Sequence, residues 1–120
     1  MEKTRVLLAA PQKLVREAIG KAIDNEEGLL LVGSTDDGLE AFRLAREARP
    51  DVVVFDLGSG KMDWPHFVRE LSLSCRGVRF LALSSDVSPD RISALCEAGI
   101  HGCVSFSSGF SELVKGLRKV

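Results

Sequence analysis

The chain has 120 residues, 45% hydrophobic and 28% charged, which is the balance of one compact globular domain. Sixteen basic and seventeen acidic side chains leave a net charge of −1, with the basic residues scattered among the acids. That argues against a bare nucleic-acid binder, and no stretch approaches the ~20 apolar residues of a membrane span.

The amino terminus, Met1-Glu2-Lys3-Thr4, does not open a secretory leader, so a cytoplasmic protein is expected. Arg5 to Ala10 is a short apolar run that predicts a buried strand. Pro11 suits the first turn of a helix, and Leu14, Val15, Ala18, Ile19, Ala22 and Ile23 follow at helical spacing. After Gly28, Leu29 to Ser34 predicts a second strand. Asp37 can cap a second helix with Leu39, Ala41, Phe42, Ala45 and Ala48 on its apolar side, ended by Pro50. Asp51 to Asp56 is the clearest strand, continuous, β-branched and closing on an acid. Gly58-Ser59-Gly60 predicts a loop, and Phe67, Val68, Leu71 and Leu73 predict a third helix from about Pro65. Val78 to Ser84 is a fourth strand. Ser88-Pro89-Asp90 starts a helix whose inner face is Ile92, Leu95, Cys96 and Ala98, stopped by Gly99. Gly102 to Ser105 is a short fifth strand, and Glu112 to Val120 lies in a last helix.

Five strand–helix units with continuous apolar strands predict a doubly wound α/β fold, a parallel sheet with helices on both faces. Right-handed crossovers and the length favour a flavodoxin-like, CheY-like order, 2-1-3-4-5. In such sheets the site lies at the carboxyl ends of the strands, where Ala10, Pro11, Asp56, Ser84 and Phe106 fall.

Several segments in this order resemble the landmarks of response-regulator receiver domains: Val6-Leu7-Leu8-Ala9, Pro50 to Leu57, Met62-Asp63, Leu81 to Ser84, and Ala98 to Gly102. Leu14-Val15-Arg16-Glu17-Ala18 is similar to the NarL/FixJ-type subgroup. The resemblance covers Arg5 to Val120 as a single domain, residues 1–120. It implies a nucleophilic aspartate at Asp56, which takes a phosphoryl group from a partner histidine kinase, with Ser84 as the hydroxyl donor. It also implies a Mg²⁺ ion held by carboxylates and a lysine that pairs with the phosphoryl group.

The departures from that pattern are specific. The acidic pair expected after the first strand is Ala10-Pro11, and the expected lysine is Phe106. Cys103 replaces the aromatic switch residue, Gly60 a usual proline and Trp64 a usual glycine. The missing lysine alone removes a contact of about 1.5–3 kcal/mol, and about 1.4 kcal/mol corresponds to tenfold in rate. The expectation is therefore an atypical, non-enzymatic receiver with no Mg²⁺ or other cofactor and an Asp56 that goes unused. It would act by partner binding or as a homodimer through the fourth helix, fifth strand and fifth helix, with Arg91, Leu95, His101, Leu113 and Leu117 as candidate contacts. A helix-turn-helix output domain is expected beyond Val120, so DNA would be reached only through that domain, with no membrane partner.

Two alternatives stay open: a conventional receiver phosphorylated on Asp56, and a small-molecule sensor with an apolar pocket of Ala10, Pro11, Phe106 and Trp64. Phe106 could fold over Ala10 or Pro11, and Trp64 could anchor a partner or cover the third helix. His66 and His101 lack metal-ligand spacing, and no metal site is expected. Cys75, Cys96 and Cys103 are expected as buried reduced thiols. The Gly58 to Gly60 segment lacks the spacing of a phosphate-binding loop, which sets aside a flavin carrier of the same fold class.

Overall fold

A computed structural model describes residues 2–58, 62–84 and 88–120. The elements run β1 (Thr4–Ala9), α1 (Lys13–Asn25), β2 (Leu29–Thr35), α2 (Gly38–Ala48), β3 (Val52–Asp56), α3 (Trp64–Ser74), β4 (Arg79–Ser84), α4 (Pro89–Ala98), β5 (Gly102–Ser105) and α5 (Phe110–Lys119). All pairings are parallel and the order is β2-β1-β3-β4-β5, as the alternation of elements predicts. Ser59, Gly60 and Lys61, part of the predicted loop after Asp56, lie outside the described residues.

The strands are apolar on both sides because each side has its own core. Leu7, Val53, Phe55, Phe80 and Ala82 point one way and pack against α2, α3 and α4 through Ala41, Ala45, Phe67, Val68, Leu71, Leu95 and Ala98. Val6, Leu8, Val52, Val54, Leu81 and Leu83 point the other way, against Ile19 and Ile23 of α1 and Leu113 and Leu117 of α5. The period-2 alternation of strand side chains deals successive residues to opposite layers. Each fully buried apolar side chain contributes about 1.5–3 kcal/mol, so both cores are needed.

Local signals explain most boundaries. Asp37 caps α2 by accepting the Leu39 N–H at 3.0 Å, and Asp63 caps α3 by accepting the His66 N–H at 3.1 Å. Arg49 ends α2 in the left-handed region, at φ 49°, before Pro50. Pro11 lies before α1 rather than in its first turn, because extended Gln12 carries the chain from strand to helix. β3 begins at Val52, since the Asp51 carboxylate instead accepts the Arg5 N–H at 2.8 Å. A bulge at Val32 shifts the β1–β2 register, so that Val6 faces Leu31 and Leu7 faces Gly33.

The helical faces are narrower than the sequence pattern suggests. Leu14, Ala18, Leu39 and Leu73 are exposed, since the buried stripes are Ile19, Gly20 and Ile23 on α1, Gly38, Ala41 and Ala45 on α2, and Trp64, Phe67, Val68 and Leu71 on α3. Cys96 is exposed too, one position round from the buried Leu95, while Cys75 and Cys103 are half-buried. The expectation of three buried thiols is therefore corrected.

Trp64 opens α3 and is only 4% exposed, which rules out a role as a surface anchor. Its ring packs on Phe55 with centroids 4.8 Å apart and meets Phe67 edge-on at 5.3 Å. Among the described residues its buried Nε1 has no hydrogen-bond partner. A buried unpaired donor costs about 1–3 kcal/mol, which offsets part of what the indole gains by burial. Trp64→Phe is therefore expected to change the unfolding free energy by less than about 1 kcal/mol, while Trp64→Ala costs about 3–5 kcal/mol. Urea unfolding followed by circular dichroism checks this, and equal costs for the two variants would show that the indole N–H is paired.

Candidate functional site

The site is set by the pairing of β1 with β3, where the strand order reverses. Ala9 is the register partner of Phe55, which brings Ala10 abreast of Asp56. Asp56 in turn pairs with Leu83, and Ser84 with Ser105, so Asp56, Ser84 and the start of the segment after β5 share one end of the sheet. Asp56 is 5% exposed and Ser84 3%.

The Asp56 carboxylate turns back on its own loop, where Oδ1 accepts the Gly58 N–H at 2.8 Å. A Cβ there would stand 3.0 Å from that oxygen, so a larger residue would require the carboxylate to shift. Ala10 is fully enclosed and its methyl group belongs to the apolar core under α1 and α5. Pro11 beside it is half-buried. Neither side chain offers an oxygen.

Two guanidinium groups that sequence reasoning did not assign to the site reach its backbone. Arg16 of α1 donates from Nη1 to the Ala10 carbonyl at 2.8 Å. Arg91 of α4 donates to the Leu57 carbonyl, and the Leu57 N–H donates to the Leu83 carbonyl at 2.8 Å. Arg16 lies inside the segment that carries the subgroup resemblance, and Arg91 stands one turn into a helix, so spacing alone could not have linked either to Asp56. Among the described residues no three His, Cys, Asp or Glu side chains converge to hold a metal ion.

Phe106 begins a short 3₁₀ turn, Phe106–Ser108, and is 39% exposed. It lines a cleft of about 180 Å³ with Ile19, Leu83, Val104, Phe110 and Leu113. Ala10, Pro11 and Trp64 are not among its walls. Trp64 belongs to the core under α2, α3 and α4, across the sheet from the core that holds Ala10. The cleft also falls short of the ~300–1,000 Å³ typical of a ligand site. Cys103 packs against the α4 side of the sheet, where burial first and the Cys96 thiol second push its own thiol up from the ordinary value. It stays protonated and unreactive at neutral pH.

Comparison with known proteins agrees with this fold. A family model described as "Response regulator receiver domain" matches residues 6–118. The chain is 32% identical over 119 residues to the response regulator GacA of Pseudomonas viridiflava, covering 97% of this chain and 54% of that protein. It is 26% identical to the transcriptional regulatory protein LiaR of Bacillus subtilis, covering 95% and 54%. The chain thus spans about half the length of the curated relatives it matches. Among solved structures, the signal receiver domain of the putative response regulator NarL from Mycobacterium tuberculosis superposes with a TM-score of 0.91 at 26% identity, covering 99% of this chain and 96% of that one.

The two histidines sit away from Asp56. His66 is exposed on α3, while His101 is tied to the start of β4. The His101 Nδ1 accepts the Phe80 N–H at 3.0 Å, its own N–H donates to the Phe80 carbonyl at 2.9 Å, and its ring stacks on Phe80. An accepting Nδ1 requires the neutral ring. Burial first, and the Arg79 guanidinium second, hold its pKa below the ordinary 6.5. The unfolded chain then binds the proton more readily, so this contribution is intact above pH ~6.5 and declines as pH falls toward the lowered value. His101→Asn keeps an acceptor near Nδ1 and removes the titration. It is expected to flatten the loss of melting temperature between about pH 7 and 5, and an unchanged slope in that variant would refute the assignment to His101.

Proposed function

Given that the chain belongs to the response regulator receiver domain family, we propose that it signals without Mg²⁺-assisted phosphorylation of Asp56, through contacts with other proteins. The observation that carries this reading is Ala10 abreast of Asp56, with a guanidinium on the Ala10 carbonyl where the family pattern has acids. A hard divalent ion needs several oxygen ligands, usually with at least one or two carboxylates. The donors here are one carboxylate already turned to an N–H, an alanine methyl, a proline and a fixed positive charge. This set does not fit the ion. Phe106, at the position of the lysine, offers a phosphoryl group no charge.

The roles of the site residues follow. Asp56 is the retained phosphoacceptor position, held in a local turn. Ser84 and Cys103 are switch positions without a phosphoryl group to follow, and Ala10, Pro11 and Phe106 are the altered acid and lysine positions. The domain is not an enzyme. Its relatives are response regulators and a transcriptional regulatory protein, which supports a place in transcriptional control, with DNA engaged by a separate output domain. Such a domain works in the cytoplasm, in keeping with the absence of a helix long and apolar enough to span a membrane among the described residues.

Self-association through α4, β5 and α5 is the partner contact the family likeness implies. Leu95, Leu113 and Leu117 are buried and belong to the cores, so they are not contacts. That face offers Arg91 and His101 together with charged groups such as Glu97, Lys115 and Lys119. Polar pairs of this kind contribute about 0–1 kcal/mol each, which favours a weak, salt-sensitive contact.

Acetyl phosphate with Mg²⁺, followed by intact-mass spectrometry, tests the proposal. The expected result is no phosphoryl adduct under conditions that fully modify a conventional receiver in parallel, and no change in Trp64 fluorescence on adding Mg²⁺. A stoichiometric adduct lost in Asp56→Asn would overturn it in favour of an ordinary switch driven by a histidine kinase.

A further inference from the structure

The seam between α2 and α3 carries opposite charges at its two ends. At the amino-terminal end of both helices lies a cleft of about 610 Å³ with Leu39, Phe42, Met62 and Phe67 as apolar walls. Asp37, Asp63 and Glu70 rim it. Asp37 and Asp63 each use one carboxylate oxygen as a helix cap, which leaves the other facing outward. At the carboxyl-terminal end a second cavity of about 600 Å³ is lined by Arg46, Arg49 and Arg76 and by Asp51, whose carboxylate accepts the Arg5 N–H. Among the described residues the guanidinium groups of these three form no ion pair or hydrogen bond. They are not consumed in completing α2 either, because Arg5 already donates to the Ala48 carbonyl at 2.7 Å.

The two ends belong to one continuous face. On α2, Leu39, Phe42, Arg46 and Arg49 follow at i, i+3, i+7 and i+10, a single stripe at helical spacing. On α3, His66, Glu70 and Leu73 follow at i, i+4 and i+7. The face also holds two of the three large apolar side chains more than three-quarters exposed among the described residues: Leu39 at 84% and Leu73 at 77%. Leu39 stands at the acidic end and Leu73 near the arginines.

We propose that this face is a contact between two copies of the chain, separate from the one formed by α4, β5 and α5. A two-fold axis perpendicular to the seam lays the acidic end of one copy on the arginine end of the other, twice over, as an isologous interface requires. The same rotation carries Leu73 of one copy toward the cleft beside Leu39 of the other, so the exposed leucines are covered where the charges pair. A net charge of −1 supplies no long-range attraction between copies; the complementarity is local to the seam. Neither ordinary helix capping nor dipole compensation accounts for the exposed leucines at both ends.

Charge reversal tests this, with sedimentation equilibrium of the 120-residue chain at low salt as the readout. Wild type is expected to dimerise reversibly. Arg46→Glu and Glu70→Lys alone are each expected to weaken association roughly tenfold or more, since each places like charges opposite one another twice. An equimolar mixture of the two variants should recover dimerisation, because each copy then meets a complementary one. Leu39→Asp should weaken it at every salt concentration, and Lys21→Glu on α1, outside both faces, should leave it unchanged. Unaltered melting temperatures confirm that the variants fold. A wild type that stays monomeric at millimolar concentration, or a mixture no more associated than its components, refutes the proposal. Association lost in Lys119→Glu but not in Arg46→Glu assigns the contact to α5 instead.

Discussion

The hydrogen-bonded pairing of β1 with β3 is the constraint from which the rest of the molecule follows. These strands are not neighbours in sequence, yet they lie side by side at the centre of the sheet with Ala9 opposite Phe55. That register puts the residue after β1 level with the last residue of β3, at the point where the strand order reverses. Whatever occupies position 10 therefore decides the electrostatics around Asp56. With an acid there, the strand end would carry a concentrated negative charge that demands a cation. With alanine, the position joins the apolar core instead, and the cation is a side chain, Arg16, tied to the backbone rather than exchangeable with solvent.

This substitution does not disturb the fold, and the reason lies in how the two cores are built. Each strand divides its side chains between the α2, α3 and α4 layer and the α1 and α5 layer. The site occupies only the strand ends, beyond the last full layer of core packing. Side chains at the strand ends can differ while the sheet and its helices keep their contacts, in keeping with a TM-score of 0.91 to a solved receiver at 26% identity. Arg91 adds a further tie, joining α4 to the Leu57 carbonyl in the segment after β3.

The surface divides in a similar way. The residues first expected to mediate self-association on the α4, β5 and α5 side are mostly core, because α5 buries Leu113 and Leu117 against β1, β3 and β4. Leu39 and Leu73, which the helical pattern assigned to cores on α2 and α3, stand in solvent instead, on the face with separated charges.

The sequence by itself determined the fold class, the strand order, each strand boundary to within one residue and the positions of Asp56 and Ser84 at strand ends. Continuous β-branched runs and capping residues act locally, and a parallel sheet with short connections admits few topologies. It also showed Ala10, Pro11 and Phe106 at positions where the family resemblance implies acids and a lysine, since that is a question of residue type at a strand end. It did not determine which helical apolar residues are buried. A period of 3.6 marks a stripe but not its width, and neighbouring elements covered Ala41, Ala45 and Phe67 while leaving Leu39, Leu73 and Cys96 in solvent. Only the tertiary structure could place Trp64 and Ala10 in different layers, and bring Arg16 and Arg91 to the backbone around Asp56. Both depend on contacts between side chains and segments distant in the chain, whose geometry exists only once the sheet has paired.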